Sequence, residues 1–181
     1  VNTTGKLKYG TSMEERKRPG GRQQLKMALG ENPKRVYGSK GQSPSTRPGT
    51  VAILRQNLMD AQDYQKKWDA YEEKKAAGEE ADPPRRDLKL ETLAKALSGE
   101  YGIDCHNYVH NEIAVFLEIM KEFKVPYVVL SHSFGAYKVR DLVAEAGAGV
   151  QTHTDWWGYK DEAYDAIPYA IKMLMDEGVL V

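Results

Sequence analysis

The apolar positions of this chain change their period near its middle. Val51, Leu54, Leu58, Ala61, Tyr64, Trp68 and Tyr71 recur every three or four residues, the spacing that lines one face of an α-helix. That helix is predicted to fray in the charged, Pro-ended stretch "EEKKAAGEEADPPRR" (72–86). Asp87 then stands where an N-cap belongs, and Leu88, Leu90, Leu93, Ala94 and Leu97 form a shorter amphipathic helix stopped by Gly99. Beyond it, short runs rich in β-branched residues alternate with helical patterns. "YGIDCHNY", "VPYVVLS" and "AGVQTH" read as strands, and "VLV" at 179–181 opens another. "NEIAVFLEIMKEF" reads as a helix with Ile113, Phe116, Leu117 and Met120 on one side. "GAYKVRDLVAEAG" reads as a helix with a Gly stop, and "DEAYDAIPYAIKMLMDEG" as helical, with Pro168 starting or kinking its second part. This alternation predicts an α/β protein with a parallel sheet, either a barrel or a doubly wound sheet. "VPYVVL" has the composition of a strand buried on both faces.

The N-terminal part lacks such periods. Residues 1–21 are rich in Gly, Lys, Arg and Thr and read as an irregular segment, leaving 22–181 as the folded domain. "RKRPGGR" (16–22) reads as a solvated loop rather than a nucleic-acid patch, because no aromatic residues interleave with its charges. "QQLKMALG" (23–30) fits either a short buried strand or a helical turn, and 31–49 reads as a turn-rich loop broken by Pro and Gly.

Composition narrows the functional classes. The chain has 181 residues, enough for one domain with a core. Lys+Arg and Asp+Glu balance at 26 each, which argues against nucleic acid or an anionic membrane as partner. No apolar run approaches the roughly 20 residues of a membrane span, and no signal-peptide core is visible. A soluble protein is expected, cytoplasmic or periplasmic or secreted. The lone Cys105 excludes an internal disulfide framework.

The candidate chemistry lies between 104 and 156. His106, His132 and His153 close three successive predicted strands, and in parallel α/β sheets the C-terminal strand ends carry the site. Neutral imidazoles from neighbouring strands are good ligands for Zn²⁺. His110 falls in the first turn of a helix. A rival reading starts from "SHSFG" (131–135), which looks like a nucleophile elbow with Ser133 as nucleophile. Its base would have to be His153, and the acids between, Asp141 and Glu145, both lie in the following helix. No strand end is left for a triad acid, and no oxyanion loop precedes the serine.

The stretches "LKMALGENPKRVYG" (25–38), "DCHNYVHNEI" (104–113), "LSHSFGAYKV" (130–139) and "HTDWWGYKDEAYDAIPYA" (153–170) together resemble the imidazolonepropionase-like branch of the amidohydrolase superfamily. The resemblance implies a (β/α)8 TIM barrel, seen here in part. It implies a hydrolase that cleaves amide-type C–N bonds of small-molecule or peptide-like substrates with a metal-activated water, using one or two divalent ions, zinc or another. His106 matches the metal ligand closing barrel strand five, and His132 the one closing strand six. Lys26 falls where a strand-four lysine can be carbamylated to bridge two metals. Tyr108, His153, Asp155 and Trp156 would line the substrate pocket, "DWWGYK" being either a pocket wall or a structural loop. The family's His-x-His pair on strand one has no counterpart, and its general-base Asp on strand eight would follow residue 181. The sequence is therefore expected to be an internal slice, from about strand four to the start of strand eight, inactive alone and prone to self-association through exposed sheet edges. The alternative of another class is a non-catalytic metal-binding or interaction fragment.

Overall fold

The computed structural model describes residues 21–181; the expectation for the segment 1–21 therefore lies almost wholly outside the described residues. Four parallel strands, β1 (Gln24–Ala28), β2 (Gly102–His106), β3 (Val128–Ser131) and β4 (Gly149–Gln151), pair in chain order. Sequential order without reversal is the winding of a barrel; a doubly wound sheet reverses at a switch point.

Helices fill every crossover. Between β1 and β2 run α1 (Glu31–Gly38), α2 (Arg47–Ala76) and α3 (Leu88–Leu97); α4 (His110–Glu122) joins β2 to β3, α5 (Arg140–Glu145) joins β3 to β4, and α6 (Ala170–Asp176) follows β4. Thr46 caps α2 by accepting from Gly49 N–H, and Asp87 caps α3 by accepting from Lys89 and Leu90 N–H.

The pleat divides the sheet into two unlike faces. Met27, Cys105, Leu130 and Val150 share one row and Leu25, Ile103 and Val128 the row below. All of these pack in one cluster with Leu58 and Ala61 of α2, Leu93 and Ala96 of α3, Ile113 and Phe116 of α4, Val143 of α5 and Leu174 of α6. Helices α2 to α6 thus cover the same face. Burial of each large side chain there stabilises by roughly 1.5–3 kcal/mol. The opposite face carries Lys26, Asp104, His106, Ser131 and Gln151. Its polar groups bind one another: Lys26 Nζ donates to Asp104 Oδ1 at 2.8 Å, and the Ser131 hydroxyl donates to Asp104 and lies 3.2 Å from Gln151 Oε1.

Four expectations change. The 31–49 segment is not all loop: it holds α1, whose Pro33 sits in the first turn, where its missing N–H is no loss. "VPYVVLS" is strand only from Val128, and Val128 and Val129 are half-buried; Tyr127 is exposed and stacked under the Arg22 guanidinium at 3.6 Å. The stretch 161–178 is a single 3₁₀ turn, Asp161–Ala163, and then α6, because the Pro168 ring is incompatible with a helix carbonyl at Tyr164. Residues 179–181 form no strand, but Leu180 O accepts from Val150 N–H at 2.8 Å, the first contact of a ladder along β4. Among the described residues, no helix is long and apolar enough to cross a membrane.

Candidate active site

The polar face ends upward in the three histidines. His106 is the last residue of β2, beside Ala28 and Ser131 in register. His132 follows β3 directly, and strict alternation would send it into the helix layer. Its backbone instead takes φ 59°, a conformation uncommon for a side-chain-bearing residue, and the ring comes to lie 5.3 Å from that of His106. Ser133 N–H then donates to Gln151 O at 3.2 Å, tying this turn to β4. His153, two residues past β4, presents Nε2 to His132 Nδ1 at 3.3 Å. Trp156 stacks on His153 at 4.3 Å and 12°.

Burial makes the two central imidazoles poor bases. Desolvation, then the neighbouring His132, Lys160 and Lys26, push the His106 pKa down to about 4. Desolvation, then Lys26 and His153, lower that of His132. Both rings are therefore neutral at pH 7, the state in which imidazole donates a lone pair. His106 Nε2 meets the Asn32 carboxamide of α1 at 3.0 Å, and His132 Nδ1 meets His153. Among the described residues, His106 Nδ1 and His132 Nε2 are left without a hydrogen-bond partner. The Asn32 amide can turn to present oxygen or nitrogen, so His106 has access to either tautomer.

The other expected site residues divide. Tyr108 is 5% exposed, stacks on Phe134 at 5.1 Å and bonds Tyr159 hydroxyl to hydroxyl at 2.6 Å. Burial and that bond push its phenol pKa up. Lys26 is on a strand, which resolves the choice left open for 23–30, and its ammonium points along the polar face to Asp104. Trp156 flanks the histidines, half-open to solvent. Asp155 is exposed and makes no hydrogen bond or ion pair among the described residues.

Ser133 is placed unlike a nucleophile. It is 1% exposed, and its hydroxyl donates to Asn107 Oδ1 at 2.5 Å rather than to an imidazole.

A charged clasp beside the site escaped sequence reading. Glu162 accepts from Lys160 Nζ at 2.9 Å, from Arg47 Nη2 at 2.9 Å and from Glu31 N–H at 2.9 Å. Burial works to raise its pKa, but Lys160 and Arg47 hold it below the usual carboxylate range. Arg47 also bonds Glu112, whose pKa burial raises. The Lys160 ammonium lies 3.7 Å over the Tyr108 ring. These partners are more than a hundred residues apart in the pairs Arg47–Glu162 and Glu31–Glu162, so no local pattern could announce them. Together they anchor the loop after β4 to the strand ends of β1 and β2.

The chain is thus a parallel α/β sheet with helices on one face and a histidine cluster at its C-terminal strand ends. No family model matches it. "Amidohydrolase tasK" of Hapsidospora irregularis is 30% identical over 162 residues, which cover 86% of this chain and 16% of that protein. The crystal structure of an amidohydrolase from Thermotoga maritima MSB8 aligns with a TM-score of 0.79 at 32% identity, over 92% of this chain and 42% of that one. The chain therefore spans less than half the length of either relative.

Proposed function

We propose that this chain is part of a longer divalent-metal hydrolase of the amidohydrolase superfamily, acting on amide-type C–N bonds in small or peptide-like substrates. The likeness to two proteins named amidohydrolases supports the superfamily and a hydrolase of amides. The observation that carries the metal reading is the pair His106 and His132: neighbouring strand-end imidazoles, both held neutral, each with one ring nitrogen free among the described residues. In donor chemistry they fit a divalent ion. In number they do not complete a site, because among the described residues no group of three or more His, Cys, Asp or Glu side chains gathers around one point. His106 and His132 would hold the ion together with ligands from the rest of the barrel. Lys26, as the ammonium bonded to Asp104, is a donor only, and would join the set only as a carbamate. An ion bound there would lower the pKa of water to about 7 and polarise the substrate carbonyl. The chain's own residues would shape the pocket: Trp156 and Tyr159 wall it, and the Lys160–Glu162–Arg47 clasp holds that wall in place.

Metal analysis of the full-length protein tests this. Stoichiometric zinc or another divalent ion, with amide hydrolysis lost to a chelator and restored by the ion, is expected. Full hydrolysis by metal-free protein would refute it. The reading of the chain as a non-catalytic fragment would gain if the full-length protein bound metal and hydrolysed none of a panel of dipeptides and cyclic amides.

A further inference from the structure

We propose that His153 is a positioning residue for His132: it accepts the His132 Nδ1 proton and so holds His132 in the neutral tautomer whose Nε2 carries the free lone pair. The direction of the bond and its consequence for metal binding rest on the reading of His132 as a ligand; the contact between the two nitrogens stands on geometry alone. The two rings are 14° from parallel, with centroids 5.5 Å apart and Nδ1 and Nε2 3.3 Å apart. The centroid separation exceeds the nitrogen separation by about the two centre-to-nitrogen radii of the rings. Both nitrogens therefore lie on the line between the rings, the alignment of an in-plane N–H···N bond rather than of face-to-face stacking.

Three features fix that alignment. Trp156 lies parallel to both imidazoles, 4.3 Å from His153 and 6.0 Å from His132, and clamps their common plane. Phe134 lies 6.3 Å from His153 and 6.1 Å from Trp156, filling the side beneath them. The left-handed backbone at His132, φ 59°, is the conformation that aims its ring at His153, and β4 holds it there through the bond from Ser133 N–H to Gln151 O. In an N–H···N bond one ring donates and the other accepts. A His132 that offers its Nε2 lone pair to an ion carries its proton on Nδ1, which makes His132 the donor and His153 Nε2 the acceptor. A ligating histidine whose other nitrogen donates to a fixed acceptor is a better-oriented and more basic ligand.

The test uses full-length protein labelled with ¹⁵N-histidine and stripped of metal. Ring nitrogens are assigned with His132→Gln, and the tautomer is read from two-bond ¹H–¹⁵N correlations. His132 is expected as the Nδ1–H form. His153→Phe, which keeps a ring against Trp156 but removes the acceptor, is expected to shift His132 toward Nε2–H and to weaken zinc binding by about 10–100-fold in a chelator competition. His153→Gln, whose amide oxygen accepts, is expected to restore the tautomer and most of the affinity. An Nε2–H tautomer in the unmodified protein, or an unchanged tautomer in His153→Phe, overturns the proposal. If unmodified protein binds no zinc while His153→Phe still shifts the tautomer, the positioning role stands and the metal reading falls.

Discussion

Replacing Gly135 by Ala tests the packing that sets the strand ends. A Cβ at 135 would sit 2.7 Å from His110 N and 2.8 Å from Tyr108 O, both backbone atoms that cannot turn aside. Overpacking of this kind costs about 1–3 kcal/mol. The bond from Gly135 N–H to Tyr108 O, 2.8 Å long, must lengthen too, at a further ~0.5–1.5 kcal/mol. Stiffening of the unfolded chain by Ala returns about 0.4–1 kcal/mol. The net loss is about 2 kcal/mol, or roughly 1 M in the urea midpoint for a slope near 2 kcal/mol/M. Gly147→Ala is the control. Its Cβ meets nothing within 4 Å, so it costs only the left-handed backbone at φ 62°, about 1 kcal/mol before the same gain. Urea titration of the full-length variants, followed by tryptophan fluorescence, reads both. If Gly135→Ala unfolds at the midpoint of the unsubstituted protein, or later than Gly147→Ala, the close approach between the β3 elbow and the start of α4 is wrong.

Three further outcomes are expected. Asp104→Ala removes an acceptor from the Lys26 ammonium, which water can still reach, and leaves the Ser131 hydroxyl only Gln151 Oε1; a loss of about 0.5–1.5 kcal/mol in thermal unfolding is expected, and none would remove Asp104 from the network. Burial pushes the Cys105 thiol up to about 12, so the native protein should resist iodoacetamide at pH 8.5 and react once unfolded. The sign follows from linkage: a folded pKa raised from near 9 gives stability that is full below pH 9 and lost as pH rises toward 12, and rapid native alkylation would contradict the packing. Residues 1–181 expressed alone should self-associate on size-exclusion chromatography with light scattering, since β1 and β4 end the sheet among the described residues; a clean monomer that hydrolyses amides with added zinc would refute the slice reading.

Much of this architecture is legible locally. Period-3.6 stripes mark α2, α3 and α4, and the Asp87 cap marks the start of α3, because each rests on neighbours within a turn. The five-residue β1 is too short for periodicity to separate it from a helical turn, and pairing with Gly102–His106 decides it. Pro33 hides α1, since a first-turn proline and a loop proline look alike in sequence. The histidines announce themselves by closing successive strands. Asn32, Arg47, Lys160 and Glu162 do not, because ordinary surface-type residues become site residues only when the fold brings α1 and the loop after β4 together.

The most direct test sets His132→Ala beside Ser133→Ala in the full-length protein, with metal content and kcat measured on each. His132→Ala should lose most of its metal and most of its turnover together, and His106→Ala likewise. Ser133→Ala, which removes only a buried hydroxyl bonded to Asn107, should keep its metal and a kcat within about an order of magnitude of the unsubstituted protein. Unchanged metal and kcat in His132→Ala, or a fully loaded but inactive Ser133→Ala, would contradict the metal-hydrolase reading and return the serine as the reacting group.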